Sequence, residues 1–168
     1  MKTIHLNRHA KSSWKDAGLR DHDRPLNKRG RINAPFMAER FAESHPVDAI
    51  ISSSATRALE TAIAFSKAMG WKKDRVIIEP AIYGAGIREM MDLILSLDSS
   101  WESVIFFGHN PTFSSLANHL DHSFNDYLVT CARASLTFDV DEWSSVFRDS
   151  GQVIEHIYPR QFPEMENL

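Results

Sequence analysis

Short apolar runs alternate along the chain with longer segments whose apolar residues recur three and four positions apart, a pattern that predicts strands interleaved with helices. The first strand spans Thr3 to Asn7 and ends where Arg8 and His9 begin. From Asn27 to Ser44, the residues Ile32, Ala34, Phe36, Met37, Phe41 and Ala42 recur at helical spacing until His45-Pro46 stops the pattern. A second strand, Val47 to Ser52, precedes Ser53, Ser54 and Thr56, which are candidates to cap a helix running from about Ala55 to Met69 and ended by Gly70. Arg75 to Glu79 predicts a third strand. Gly86 to Leu97 predicts a third helix with Ile87, Met90, Met91, Ile94 and Leu95 on one face, and Ser103 to Phe107 a fourth strand. After Gly108-His109-Asn110-Pro111 come a helix to about Leu120, a loop-rich stretch, and strands at Ala134 to Asp139 and Gln152 to Tyr158.

This alternation predicts an α/β fold: a three-layer α/β/α sandwich around a mostly parallel sheet, with a ligand crevice outside the carboxyl ends of the strands. A single domain is expected over residues 1–160, followed by a tail at 161–168, because no repeat, linker or low-complexity run divides the 168 residues. Apolar content of 43% and charged content of 24% suit a core that folds on its own. The formal net charge is −3 and the 19 basic residues are scattered, so no nucleic-acid footprint is visible and nucleic acid is not an expected partner. Cys131 is the only cysteine, which excludes an internal disulfide and fits a reducing compartment. No apolar stretch approaches the ~20 residues of a membrane span and no secretory cleavage signal is visible, so the expected location is cytoplasmic, away from membranes.

Arg8 and His9 follow the first strand, Arg57 the second and His109 the fourth, so three loops distant in sequence are expected to converge on one pocket. A neutral imidazole is one of the few side chains able to attack as a nucleophile near neutral pH. Phosphoryl transfer depends largely on positioning and on stabilising charge spread over the phosphoryl oxygens, a task suited to planar, permanently charged guanidinium groups. Arg8 and Arg57 fit that task, with His109 as a third cationic or hydrogen-bonding partner. Any one of these residues alone says little; the specificity lies in the ordered set.

That set is familiar. RHA at 8–10, DHDRPLNKRG at 21–30, SSSATRALETA at 52–62 and GHNP at 108–111 resemble the histidine phosphatase superfamily, which has a phosphoglycerate mutase-like fold, and most closely its short SixA-type phosphohistidine phosphatases. The resemblance runs from Met1 to about Pro159. It implies that His9 is phosphorylated, that Arg8 and Arg57 grip the phosphoryl oxygens and that His109 shares the pocket. The family's commonest opening is RHG, where this chain has Ala10; SixA-type members resemble it in having RHA. The SSP commonly seen before the family arginine is SSS here, followed by Ala55. Many larger members carry a glutamate general acid after the third strand. In EPAIYGAGIREMMD, at 79–92, Glu89 is the nearest candidate, with a solvated surface position on the helix as the alternative. A phosphatase specialised for phosphohistidine has less need of that acid, because imidazole leaves as a far weaker base than an alkoxide.

Around the core set, Ser12 is close enough in sequence to offer phosphate a hydrogen bond, although a serine in a polar loop is more often simply solvated. Asp23, Arg24 and Pro25 belong to a stretch that resembles a recurring subfamily element, and Arg24 is expected to pair with an acid at the pocket rim. Asn110 either orients His109 or caps the following helix, the cap being favoured. His119 and His122 have suggestive spacing, but neither paired cysteines nor a neighbouring glutamate complete a zinc signature, and there is no glycine-rich nucleotide loop. No metal and no cofactor are expected. The expected partner is a phosphorylated protein or, alternatively, a small phosphate ester. A phosphoglycerate mutase-like transfer would need a water-excluding lid for which this short chain has little spare length.

Overall fold

The computed structural model describes residues 1–166. Six strands form one sheet: β1 (Lys2–Arg8), β2 (Ala49–Ser52), β3 (Val76–Ile78), β4 (Ser103–Gly108), β5 (Arg133–Phe138) and β6 (Gly151–Ile157), in the spatial order β3-β2-β4-β1-β5-β6. The pairs β1–β4, β2–β4 and β2–β3 are parallel, whereas β5 runs antiparallel to both β1 and β6. The sheet is therefore mostly parallel, as the alternating pattern predicted. The two final strands are joined by a short connection that holds only a single turn of 3-10 helix at Trp143–Ser145, which permits antiparallel pairing.

Helices α1 (Lys28–Ser44) and α2 (Thr56–Ala68) cover one face, and α3 (Ile87–Leu95) and α4 (Thr112–Leu120) the other. Strand side chains alternate between the two faces: Ile4, Leu6, Val104 and Phe106 pack with α3 and α4, while Ile50, Ile105 and Phe107 pack with α1 and α2. On the α1–α2 face, β1 contributes His5, which is 2% exposed and hydrogen-bonded through Nδ1 to the Ser135 hydroxyl at 2.7 Å. Burial, reinforced by the Arg133 charge, lowers the pKa of His5 to about 2, so it is a neutral core residue.

Local chemistry explains the helix starts, with one correction. Asn27 caps α1, its side chain accepting the Gly30 N–H at 2.9 Å. At α2 the N-cap is Ala55, without a side-chain cap, and none of the three proposed hydroxyl residues fills that position. Ser53 and Ser54 are turned to other partners, His109 and His22, and Thr56 is already the first helical residue. At α4 the N-cap is Pro111 rather than Asn110; one residue earlier, Asn110 still accepts the Ser114 N–H at 3.1 Å while its amide donates to Leu128 O at 2.7 Å.

The chain order reverses beside β1, since β4 returns to lie between β1 and β2. Register pairs Arg8 with Gly108, so the residues that follow both strands emerge side by side at the carboxyl end of the sheet. In the tail, Phe162 packs edge-on to Phe36 of α1, with the Arg40 guanidinium 4.7 Å from the Phe162 ring; residues 167 and 168 lie outside the described residues.

Gly108 has no room for a side chain, because a Cβ there would come within 2.4 Å of the Phe113 ring and 3.0 Å of Ile82. Both neighbours are buried. Gly108→Ala is expected to overpack this junction and cost about 1–3 kcal/mol. Thermal denaturation should show a Tm several degrees lower, and an unchanged Tm would mean that Phe113 can move aside.

Candidate active site

Residues 8–10 leave the end of β1 held from several sides. The His9 N–H donates to Gly108 O at 3.0 Å, its C=O accepts from the Cys131 N–H at 3.0 Å, and the next N–H, of Ala10, donates to the Thr61 hydroxyl at 3.0 Å. The Thr61 hydroxyl in turn donates to Arg57 O at 2.7 Å, which ties α2 to the same turn. The imidazole is therefore anchored to a backbone shared by β1, β4 and α2.

His9 is 7% exposed, and its Nδ1 lies 2.7 Å from Ala10 O. A carbonyl oxygen only accepts, so Nδ1 carries the proton and Nε2 keeps its lone pair. Burial lowers the His9 pKa to about 3 against the opposing Ala10 hydrogen bond, and the nearby His109, Arg57 and Arg8 lower it further. The ring is a neutral base with a defined free nitrogen.

The structure brings the other predicted core residues to this ring. Arg57 Nε lies 3.4 Å from His9 Nε2, and the His109 and His9 rings are 5.3 Å apart. Nε2 of His109 meets the Ser53 hydroxyl at 2.7 Å, while its Nδ1 is buried and has no partner among the described residues. Burial, with help from Arg57, lowers the His109 pKa to about 4. Arg8 donates from Nη1 to Leu128 O at 3.0 Å and lies beside Tyr127, leaving its buried Nε unpartnered among the described residues. An unpartnered buried guanidinium N–H is costly, and an arriving oxyanion would satisfy it.

Two further predicted residues are held by other partners. Ser12 is buried rather than solvated, and its hydroxyl accepts from Arg24 Nη1 at 2.6 Å. Glu89 is exposed and closes the first turn of α3, accepting the Gly86 N–H at 3.1 Å. Arg24 does pair with an acid, but that acid is Asp21, at 3.1 Å. His122 lies against Asp149, and no group of three or more His, Cys, Asp or Glu residues that could hold a metal ion occurs among the described residues.

Asp21 is the main residue that sequence reasoning missed. Its backbone oxygen accepts from Arg57 Nη1 at 2.7 Å, and its carboxylate from Arg57 Nη2 at 3.0 Å and from the Tyr83 hydroxyl at 2.7 Å. The Tyr83 hydrogen bond, followed by Arg57 and Arg24, holds the Asp21 pKa down to about 2. Tyr83 also stands edge-on to both His22 and His109, with ring centroids 4.9 and 5.6 Å away. Asp21 lies inside the DHDRP stretch already singled out, so a signal existed. Ser53 and Thr61 lie in the SSSATRALETA motif and Tyr83 in the stretch after the third strand, but nothing in the sequence assigned them these partners.

The sequence and the fold both have relatives. Residues 4–93 match the family model of the histidine phosphatase superfamily (branch 1). An uncharacterized chloroplastic protein of Arabidopsis thaliana is 32% identical over 155 residues, covering 87% of this chain and 71% of its own length. A protein assigned as the phosphohistidine phosphatase SixA of Agrobacterium tumefaciens superposes with a TM-score of 0.78 at 27% identity, over 94% of this chain and 98% of that one. The protein histidine phosphatase SixA complexed with tungstate gives 0.80 over 95% and 98%, a likeness of fold at 19% identity.

The buried histidines set a pH dependence. In the unfolded chain, histidines take up protons below about pH 6.5, whereas His109, His9 and His5 resist protonation down to about 4, 3 and 2. The unfolded state thus binds more protons, and stability falls as pH drops from about 6.5 toward 4. Denaturant titrations should show a lower midpoint at about pH 5 than at about pH 7.5, and ring NMR should keep His9 in the Nδ1–H form across that range. A His9 ring titrating near 6.5 would contradict the burial argument.

Proposed function

The chain belongs to the histidine phosphatase superfamily (branch 1) and is a histidine-dependent phosphatase; from this we propose that it removes the phosphoryl group from phosphohistidine in proteins through a covalent intermediate on His9. One observation carries the reading: a neutral imidazole with its Nδ1 proton fixed on Ala10 O and its free Nε2 facing Arg57. In the first step, the Nε2 lone pair forms a bond to phosphorus as the substrate's P–N bond breaks. The substrate imidazole, already protonated on its other ring nitrogen by solvent, keeps that electron pair and departs as neutral imidazole. In the second step, water attacks the phosphorus, Nε2 regains its pair and inorganic phosphate leaves. Arg8 and Arg57 hold the equatorial oxygens, and the dianion favours a proton on His109, which then serves as a further donor.

The choice of substrate follows from the carboxyl groups. Asp21, joined to His9 through Arg57, stays ionised far below neutral pH and has no proton to deliver. Glu89 is occupied on the Gly86 N–H. An alkoxide leaving group needs a proton in the transition state, whereas an imidazole does not to the same degree. Such a site favours a P–N over a P–O substrate, and a protein over a small alkyl phosphate.

His9→Ala should lower turnover of a phosphohistidine peptide by at least about 10³-fold, the usual scale for removing a nucleophile. Acid-labile, base-stable phosphate should be trapped on wild-type His9 in quenched reactions. Retained turnover without His9, or an alkyl phosphate hydrolysed as fast as phosphohistidine, would overturn the reading.

A further inference from the structure

We propose that a basic surface flanking the pocket docks an acidic segment of the protein substrate, next to its phosphorylated histidine; this rests on the phosphohistidine phosphatase reading above. Charge is unevenly distributed along the chain. Residues 8–31 carry eight of the 19 basic and three of the 22 acidic residues, so this stretch is strongly cationic in a protein of net charge −3. Its three acids are committed locally: Asp21 to Arg24 and Arg57, Asp23 to Arg20, and Asp16 to the Gly18 N–H. Among the described residues, Lys11, Lys15, Lys28, Arg29 and Arg31 make no ion pair.

These cations line shaped surface that reaches the aromatic neighbour of Arg8. The backbone of Lys11, two residues beyond His9, packs directly against Gly30 of α1, where a Cβ would come within 2.2 Å of Lys11 O. A hollow of about 600 Å³ opens there, lined by Lys15, Lys28, Arg29 and Arg31. Arg29 also lines a second hollow, of about 630 Å³, with Tyr127 and Arg160. Tyr127 is the aromatic neighbour of Arg8, so the basic surface continues to the phosphoryl-binding arginine. Among the described residues the one carboxylate lining the second hollow, Asp126, lies 3.5 Å from His156 across the same recess. Two aromatic rings of this region are exposed: Tyr127, in the second hollow, and Trp14, with the Arg24 guanidinium 3.5 Å from its ring.

A phosphoryl group is held by Arg8, Arg57 and His109 and does not extend this far. Gathered, unpaired cations repel one another, so their arrangement is unfavourable without an anionic partner. A stretch of Asp and Glu beside the phosphohistidine supplies that partner. Rim charges of this kind act mainly by steering encounter, and the effect weakens as salt screens it.

Three substrates test the proposal: phosphoramidate, a phosphohistidine peptide with acidic flanks, and the same peptide with lysine flanks. The acidic peptide should be preferred by about tenfold or more in kcat/KM, with the preference fading as ionic strength rises from about 0.02 to about 0.3 M. The triple variant Lys15→Glu, Lys28→Glu, Arg29→Glu should lose or reverse the preference while hydrolysing phosphoramidate as the wild type does. The charge-preserving Lys28→Arg, Arg29→Lys should keep it. Equal use of both peptides, or an unchanged preference in the triple variant, would overturn the docking surface while leaving the phosphatase intact. Failure to turn over phosphoramidate or either peptide would instead sink the underlying reading. A single-stranded RNA that inhibits more strongly than an unphosphorylated acidic peptide would assign the surface to nucleic acid and overturn the proposal.

Discussion

The peptide of His9 is gripped from both sides of β1: its N–H by Gly108 at the end of β4, its C=O by Cys131 at the approach to β5. A residue one step past a strand end is normally free to splay. Here it is fixed because β1 is central, with a parallel neighbour on one side and an antiparallel one on the other. The Thr61 hydroxyl secures the following N–H, and Ala10 O then orients the imidazole. The tautomer of the proposed nucleophile is thus set by backbone geometry, and that geometry depends on the sheet order and on Gly108 lacking a side chain.

Electrostatics builds on that clamp. Two guanidinium groups and two imidazoles share one small region, and burial keeps both imidazoles neutral. Placing a cationic ring beside Arg8 and Arg57 would add like-charge repulsion to the desolvation cost, so neutrality is the favourable state of the free site. Asp21 offsets part of the positive charge by holding Arg57, and Tyr83 and Arg24 fix Asp21 in turn. The same carboxylate, with the Asp21 backbone oxygen, fixes the Arg57 guanidinium beside His9.

Much of this was legible along the chain. Helical periodicity located α1 and α3, turn residues bounded the strands, and the rule placing ligand sites at strand carboxyl ends selected Arg8, His9, Arg57 and His109 together. Side-chain partners were far less legible. Ser53 and Ser54 have the chemistry of helix caps, yet spatial neighbours claimed both. Ser12 lies in what reads as a polar loop, yet it is buried under Arg24, and Glu89 has the chemistry of an acid catalyst but closes a helix turn.

The sequence by itself determined the order of strands and helices, the absence of an internal disulfide and the identity of the residues that reach the carboxyl end of the sheet. These follow from local periodicity and from a backbone rule that holds wherever parallel strands alternate with helices. Only the tertiary structure decided the protonated nitrogen of His9, the attachment of Arg57 to Asp21, the neutral state of three buried histidines and the joining of two basic hollows through Arg29. Each of these depends on distance, burial or hydrogen bonding between residues far apart in the chain, and local composition carries no information about such pairings.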